Sequence, residues 1–386
     1  MTTLFHGARK LDAAGQIDDF WMLVDGESIV STGSGRVLPD ASERIDVDGH
    51  WLVPGFIDLH CHGGGGYSFD DGEEAILLAL ATHRAHGTTR SVLSLVANPI
   101  AQLRENLSEI ADLAAADPLI LGSHLEGPFL AVERRGAHNA DFLREPQPYE
   151  LEELISAGRG TIRQITIAPE LPGALEAIDV LVELGITVAV GHTEASFELA
   201  QEAFDRGARM LTHAFNAMQG IHHRSPGPVV AAFEDKRVTV ELILDGLHVH
   251  PDVAAMAFNS APGRIALVTD AMAAAGSSDG NYRLGSLNVT VVDGLAVLSG
   301  TSTIAGSTLT QDVALRLAIE RARIAPSAAI EALTATPARA LGIDDRLGHL
   351  KVGYAADAVM LDHRWNVTSV WANGARVDRA LAAPTT

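Results

Sequence analysis

The chain has little cysteine and little lysine. Cys61 is the single cysteine among 386 residues, so an internal disulfide bond and a zinc site built from cysteines are both excluded. Of the 28 basic residues, three are lysines, namely Lys10, Lys236 and Lys351. Histidine, in contrast, occurs 16 times. What these histidines do depends on where they fall in the fold.

Long apolar segments are also missing. The longest apolar runs, such as residues 75–81, are far shorter than the roughly 18 residues that cross a bilayer. The first residues lack the apolar stretch of a signal peptide. With 28 Lys and Arg against 49 Asp and Glu, the net charge is −21 at pH 7. A chain this acidic is a poor partner for nucleic acid or anionic lipid. We therefore expect a cytoplasmic protein without nucleic-acid or membrane partners.

Short apolar strands alternate with amphipathic helices from Gly55 onward, which predicts right-handed parallel βαβ units. Eight strands can be read, at residues 57–62, 88–96, 119–126, 161–168, 186–192, 209–213, 238–245 and 264–270. Eight such units match the size of a closed (β/α)8 barrel of the TIM type. An open doubly wound sheet is the competing α/β fold, but no glycine-rich dinucleotide fingerprint favours it.

The segments outside the barrel read mainly as β structure. Residues 20–30 and 358–370 alternate as strands, and we predict that both chain ends build one small β-sandwich domain from residues 1–53 and 345–386. Residues 54–344 form the predicted barrel. Within them, residues 282–299 read as an inserted β-ribbon with a turn at Asp293-Gly294, followed by helices at 309–323 and 328–341.

Histidines and carboxylates fall where the barrel strands are predicted to end. His60 and His62 are two residues apart on the first strand, so both side chains point into the barrel while Cys61 points outward. The other strand ends carry Glu126, His192, His213 and Asp270. The carboxyl ends of barrel strands form the active-site face, and imidazole with carboxylate is a typical donor set for a divalent metal. The pattern predicts a catalytic metal site.

The motifs resemble those of a known superfamily. The segment from Pro54 to His62 resembles the first-strand signature of the amidohydrolase superfamily, and residues 336–357 resemble its closing region. Within that superfamily, several segments resemble the N-acetylglucosamine-6-phosphate deacetylase family, in order and over essentially the whole chain: residues 124–129, 136–139, 191–193, 213–218, 245–249 and 268–271. The resemblance implies an amidohydrolase-type barrel and hydrolysis of an acetamido group.

The lysine shortage bears on the metal bridge. Many hydrolases of this superfamily bridge two metals with a carbamylated lysine from the fourth strand, but the fourth strand here has no lysine. Lys10 and Lys351 fall in the β-domain, and Lys236 precedes the seventh strand. Glu126 is left as the anionic ligand, and readings as a dihydroorotase-like or hydantoinase-like enzyme are disfavoured.

The resemblance implies a role for each residue. Glu126, His192 and His213 would hold one divalent ion, and His60 with His62 offer ligands for a second, with Glu126 or Asp270 shared. The number of ions stays open at one or two; zinc is the expected metal, with Fe, Mn or Co as alternatives. Hydroxide formed on the metal would attack the carbonyl, with Asp270 as acid and base and His138 contacting the carbonyl oxygen.

The substrate implied by the resemblance is a phosphorylated amino sugar, N-acetylglucosamine 6-phosphate. Its phosphate would be bound by His248, Arg224 and the backbone amides of Asn216 and Ala217. In the family the arginine reaches across from a neighbouring subunit, which implies a homodimer. Two other functions stay open: another amidohydrolase reaction, such as deamination, and a non-catalytic relative of the barrel. The six candidate ligands, all present, argue against the latter.

Overall fold

Eight parallel strands form the central barrel of the protein. The computed structural model describes residues 2–378, and within them the strands pair in chain order. They are Phe56–Cys61, Thr88–Val96, Ile120–Glu126, Ile162–Ile167, Thr187–Val190, Met210–Leu211, Thr239–Ile243 and Ile265–Val268. All eight predicted strands are therefore confirmed, with ends within a few residues of the expected positions. The second strand is buried along its whole length, as expected of parallel strands covered on both faces.

The first and eighth strands meet just beyond the end of the eighth. The backbone N–H of Asp270 donates to the carbonyl of His60 at 2.8 Å, and Cys61 bridges Ala271 in parallel. This closure brings the carboxyl ends of all eight strands onto one face, which is where a barrel carries its chemistry.

Helices surround the barrel: α1 (Glu73–Ala85), α2 (Ile100–Ala116), α3 (Pro148–Gly158), α4 (Ala174–Glu183), α5 (Phe197–Asp205), α6 (Gly227–Glu234), α7 (Pro251–Ser260), α8 (Gln311–Glu320), α9 (Pro326–Leu333) and α10 (Ala335–Ala340). The strand–helix alternation predicts helices in the positions of α3 and α6, but the sequence pattern did not indicate their bounds. The prediction of a single helix at residues 328–341 was wrong, because two helices, α9 and α10, occupy this segment. Pro337 would clash with the carbonyl of Leu333 in a continuous helix, so the chain breaks at Thr334. Among residues 2–378, no helix is long and apolar enough to cross a membrane.

Both chain ends contribute to one eight-stranded sheet, as predicted. Its strands are Thr2–Asp12, Gly15–Asp25, Ser28–Ser34, Glu43–Asp46, Trp51–Pro54, Ala358–Leu361, Val367–Ala372 and Ala375–Arg376. The sheet has its own core, in which Phe5 and Trp371 pack edge to face with ring centroids 4.9 Å apart. Three strand spacings of about 4.8 Å would separate their strands in a flat sheet, so the sheet is curled around this core.

The boundaries of this β-domain stay a prediction. Residues 51–54 lie in the terminal sheet and residues 56–61 in the barrel, so the two sheets meet near Gly55. Met1 and residues 379–386, which the predicted domain includes, lie outside the described residues.

The inserted ribbon is confirmed as three antiparallel strands, Gly280–Leu284, Leu287–Val292 and Leu295–Leu298. Asp293 and Gly294 form its second turn, and both adopt positive φ, as the sequence predicts for this pair.

Candidate active site

The first barrel strand delivers two buried histidines to one point. His60 and His62 are 0% and 1% exposed, and their Nε2 atoms lie 3.1 Å apart. Cys61 between them points outward, where its Sγ lies 3.3 Å from Nε2 of His83 on α1. Burial raises the pKa of the Cys61 thiol to about 12, so it is an unreactive structural thiol. The alternation expected from the sequence is what the structure shows.

The third, fifth and sixth strands bring a second group together. Oε1 of Glu126 lies 3.0 Å from Nε2 of His192 and 3.0 Å from Nε2 of His213, and these two nitrogens are 3.0 Å apart. The other oxygen of Glu126, Oε2, lies 3.0 Å from Nε2 of His62. The two groups of potential ligands are thus adjacent and share the carboxylate of Glu126.

Asp270 completes the first group. Its Oδ1 lies 3.3 Å from Nε2 of His62 and 3.4 Å from Nε2 of His60. Asp270, His192 and His213 all follow a strand directly and have φ values of 46°, 46° and 25°. Non-glycine residues rarely adopt this left-handed region, and such backbone strain tends to gather at functional sites.

Hydrogen bonds fix which nitrogen of each histidine faces the cluster. Nδ1 of His192 lies 2.8 Å from the carbonyl of Arg134, which can only accept, so Nδ1 carries the proton. In neutral His192, Nε2 is then a lone pair pointing at a carboxylate oxygen that is also an acceptor. Nδ1 of His60 likewise lies 3.1 Å from Oε2 of Glu241, to which it donates, so Nε2 is the nitrogen of His60 that faces the cluster. Two acceptors at 3.0 Å need a cation between them, so these residues fit a divalent metal.

The charges of the cluster shift the pKa values of its members. Burial would raise the pKa of Glu126, but the positive charge of His60 and hydrogen bonds from the neighbouring histidines hold it well below its usual range. Burial opposes the same effect at Asp270, where His60 and His62 lower the pKa to about 2. For His192, burial dominates and lowers the pKa to about 4. Ionised carboxylates and a neutral His192 are the forms that bind a metal.

A cavity opens above this cluster and gathers most of the predicted residues. It is lined by nine of them: His62, Glu126, His138, His192, His213, Asn216, Ala217, His248 and Asp270. His60 lies beneath the cavity as a buried ligand. Arg224 does not line it; the side chain is exposed on the loop after the sixth strand, with Nη1 2.7 Å from Nε2 of His223.

His138 comes from the long loop after the third strand and faces Glu126. Its Nδ1 accepts a hydrogen bond from the backbone N–H of Ala97 at 3.2 Å, so in the neutral ring the proton is on Nε2. That Nε2 lies 3.4 Å from Oε2 of Glu126 and is directed towards the cavity. The neutral side chain therefore presents a hydrogen-bond donor to a ligand there.

Sequence reasoning missed a layer of buried acids beneath the ligands. Oε1 of Glu241 accepts a hydrogen bond from Nε2 of Gln164 at 2.7 Å, in addition to the contact of Oε2 with His60. Asp58 accepts from the hydroxyl of Thr269 at 2.6 Å. The sequence did contain a signal for these two acids, because each is a charged residue inside an apolar barrel strand. Asp58 is also two residues before His60, so its side chain lies on the same face of the strand as His60 and His62. Sequence reasoning also missed apolar and small cavity residues, namely Val96, Gly136, Ala137, Leu284, Thr303, Ile304 and Gly306.

A closed eight-stranded barrel with imidazole and carboxylate ligands at its strand ends defines a class of metal-dependent hydrolases. A model of the amidohydrolase family matches residues 51–377. The chain is 38% identical over 379 residues to the N-acetylgalactosamine-6-phosphate deacetylase of Escherichia coli O157:H7, which covers 97% of this chain and 99% of that relative. It is 35% identical over 393 residues to the N-acetylglucosamine-6-phosphate deacetylase of Vibrio furnissii, with 99% and 95% covered.

A solved structure agrees with these relatives. The N-acetyl-D-glucosamine-6-phosphate deacetylase of Mycobacterium smegmatis, determined in complex with N-acetyl-D-glucosamine-6-phosphate, is 42% identical, with a TM-score of 0.93 over 97% of this chain and 99% of that one. The chain belongs to the amidohydrolase family and, within it, to the deacetylases of N-acetylated amino-sugar 6-phosphates, which are hydrolases.

Proposed function

We propose that the protein hydrolyses the acetamido group of N-acetylglucosamine 6-phosphate to give glucosamine 6-phosphate and acetate. The observation that carries this proposal is the placement of Asp270 and His138 on one cavity, on either side of the shared carboxylate Glu126. The relatives that act on this substrate and on its galacto epimer support it. Both epimers belong in the assay, because their relatives match this chain about equally well.

The ligand cluster is proposed to hold divalent metal, with Glu126, His192 and His213 as one ligand group and His60, His62, Glu126 and Asp270 as the other. The two groups support two ions per subunit, and the imidazole-rich donor set supports zinc. A divalent ion in this position supplies activation of the attacking water and polarisation of the amide carbonyl. Metal analysis of the purified protein tests both the identity and the number of ions.

Asp270 is proposed to move the proton. With its pKa lowered to about 2 by His60 and His62, the carboxylate is ionised at neutral pH and can accept a proton from water as the oxygen attacks the carbonyl carbon. When the C–N bond breaks, the same group donates that proton to the departing nitrogen. His138, with its proton on Nε2, donates a hydrogen bond to the carbonyl oxygen as negative charge develops there.

The phosphate is proposed to bind on the side of the cavity formed by the loops after the sixth and seventh strands. His248 follows the seventh strand, lines the cavity and is not one of the proposed metal ligands. Its Nδ1 donates to Oδ2 of Asp245 at 2.6 Å. Burial would lower the pKa of His248, but Asp245 and Asp270 raise it, which favours the cation. Asn216 and Ala217 line the same cavity, and the backbone N–H of Asn216 donates to the carbonyl of His213 at 3.0 Å. The backbone amide of Ala217 is therefore the one proposed to contact the phosphate.

We propose that Arg224 completes the phosphate site from a neighbouring subunit of a homodimer. The side chain of Arg224 lies outside the cavity of its own chain. It is exposed on the loop that follows Asn216 and Ala217. A planar guanidinium can give two parallel hydrogen bonds to phosphate oxygens.

A cytoplasmic location is proposed from the substrate. A phosphorylated sugar carries charge that an apolar bilayer excludes, so an enzyme that consumes it works where the sugar is phosphorylated.

An acetate-release assay tests the proposed activity. Wild-type protein should release acetate from N-acetylglucosamine 6-phosphate, and chelation followed by metal add-back should abolish and restore the reaction. Asp270→Asn should lower kcat by about 10²- to 10⁴-fold. Acetate release that is independent of Asp270 or of metal would contradict the proposal.

A further inference from the structure

The inserted ribbon, Gly280–Leu298, contributes Leu284 to the lining of the active-site cavity. Its first turn contains Gly285 at φ +53°, where an added Cβ would lie 2.7 Å from Cγ2 of Val96. The ribbon tip is therefore seated directly on the end of the second barrel strand. A hydrogen bond from Nδ2 of Asn139 to Oγ of Ser286, at 3.1 Å, joins the tip to the loop that carries His138.

The ribbon makes one side of the cavity apolar. Leu284 and Val96 pack in one apolar cluster, with Ala137 against it, and all three line the cavity. Ile304, from the segment that follows the ribbon, lines the same cavity. We call these four residues the apolar wall. None of them has a polar side chain, and Leu284 and Val96 are 5% and 4% exposed.

The apolar wall lies across the barrel from the polar side of the cavity. Val96 ends the second strand, whereas Asn216 and Ala217 follow the sixth. Strands four apart in an eight-stranded barrel are diametrically opposed. A molecule that spans the cavity therefore contacts polar groups of the protein at one end and apolar side chains at the other. The proposed metal ligands lie between these two ends.

The position of His138 decides which part of the substrate meets the apolar wall. Its Nε2–H is the donor for the amide carbonyl oxygen, and the acyl methyl is bonded to the same carbonyl carbon, so the methyl lies within about 5 Å of that nitrogen. His138 itself is held by the backbone of Ala97 and adjoins Ala137. Ala137 belongs to the apolar wall and Ala97 follows Val96 in the chain, so the acyl chain next to His138 meets this wall.

We propose that the apolar wall binds the N-acyl group and sets the longest acyl chain that the enzyme accepts. The inference rests on the proposed function and adds its substrate class: glucosamine 6-phosphates with a short, unbranched N-acyl group. The side chain of Leu284, anchored by the seated ribbon tip, closes the space beyond the acetyl methyl.

The test is a series of N-formyl-, N-acetyl-, N-propionyl- and N-butyryl-glucosamine 6-phosphates, with release of the free amine as the readout. Leu284→Ala should raise the butyryl-to-acetyl ratio of kcat/KM by on the order of 10-fold or more, because one or two methylenes in an apolar pocket change specificity by this factor. The matched control is Leu295→Ala, a leucine of the same ribbon that does not line the cavity, and it should leave the ratio unchanged.

A second variant narrows the space. Ile304→Phe should lower kcat/KM for the acetyl compound relative to the formyl compound, and Ile304 is half-buried, so the larger ring can be accommodated without rebuilding the core. Acyl profiles that are the same in wild type, Leu284→Ala and Ile304→Phe, with unchanged thermal unfolding, would overturn the inference. Failure of the wild-type protein to release acetate would instead overturn the proposed function, so the two failures are distinct.

Discussion

Oε2 of Glu241 accepts a hydrogen bond from Nδ1 of His60 at 3.1 Å and another from the backbone N–H of His213 at 3.3 Å. His60 and His213 belong to different ligand groups of the proposed metal site. One fully buried carboxylate on the seventh strand thus orients ligands on both sides of Glu126. Such outer carboxylates fix the tautomer and the orientation of a metal-binding imidazole.

Glu241→Gln should therefore weaken metal binding by about 10- to 100-fold while the fold is retained. The amide that replaces the carboxylate carries no negative charge, so its hydrogen bond to Nδ1 of His60 is weaker. Nε2 of His60 therefore becomes a weaker metal ligand. Metal affinity, measured by titration of metal-free protein against a competing chelator, checks this. Glu234→Gln, the same change at an exposed position of α6, is the control. Equal affinities in the two variants would contradict the orienting role.

Arg224 can be tested for a position across the subunit interface by mixing two impaired variants at a substrate concentration well below the raised KM of the first. Arg224→Ala should raise KM sharply, and Asp270→Asn should lower kcat by about 10²- to 10⁴-fold. If the arginine acts in the partner's site, a mixed dimer contains one intact site, and random mixing should restore about a quarter of the wild-type activity. Acetate release after unfolding and refolding the two variants together, compared with each alone, is the measurement. No recovery in confirmed mixed dimers would place Arg224 in its own subunit's site or outside the reaction.

The raised pKa of His248 predicts a pH dependence of KM. Because its pKa lies above the ordinary value near 6.5, the cation persists to a higher pH than in an ordinary histidine and is lost as the pH rises through the raised value. KM for the phosphorylated substrate should therefore rise on the alkaline side. In Asp245→Asn the partner that raises the pKa is gone, so the rise in KM should begin at a lower pH.

The measurement is a KM profile between pH 5.5 and about 9 for both proteins. Asp252→Asn is the control, since Asp252 faces His250 at 3.7 Å in an exposed pair on the outside of the barrel. Superimposable profiles for wild type and Asp245→Asn would exclude a cationic His248 from phosphate binding.

Asp312 predicts a contribution to stability that disappears in acid. Burial would raise its pKa, but His86, Thr310 and Arg316 lower it to about 2. A group whose pKa is lower in the folded state stabilises the fold above its unfolded pKa near 3.9, and this stability is lost as the pH falls towards 2. From the two pKa values the contribution is about 2 to 3 kcal/mol at neutral pH.

Urea unfolding of Asp312→Asn and wild type, both metal-free, checks this prediction. The difference in unfolding free energy should be largest at pH 7 and should shrink between pH 4 and 2. Asp345→Asn, with a side chain 75% exposed, should show no such difference. A gap between Asp312→Asn and wild type that stays constant with pH would show that the loss is steric.

The sequence predicted the barrel strands and the polar residues at their ends well, because a buried parallel strand is a short apolar run and a polar residue at its end stands out. His60, His62, Glu126 and Asp270 could be placed in this way. Residues that reach the cavity from outside the strands could not. Leu284 and Ile304 are ordinary apolar residues in an insertion, and their contact with the cavity depends on how the ribbon packs on Val96, which no local pattern encodes.

The unpredicted bounds of α3 and α6 have a similar explanation. Pro146-Gln147 precedes α3, which begins at Pro148, and α6 begins at Gly227-Pro228; such residues usually indicate loops. Proline is nevertheless accepted in the first turn of a helix, where its missing N–H has no partner to lose. Proline and glycine at these positions therefore concealed where each helix begins.

The shared terminal sheet also orders the assembly of the molecule in time. Trp51–Pro54 pairs antiparallel with Ala358–Leu361, so a strand made early in synthesis gains this partner only after the whole barrel has been made. Pairings so distant in sequence form slowly, because the entropy of closing a long loop is lost before the contact is gained. During synthesis, the edge of Trp51–Pro54 that later pairs with Ala358–Leu361 stays unpaired, and the C-terminal strands cover it only when they have been made.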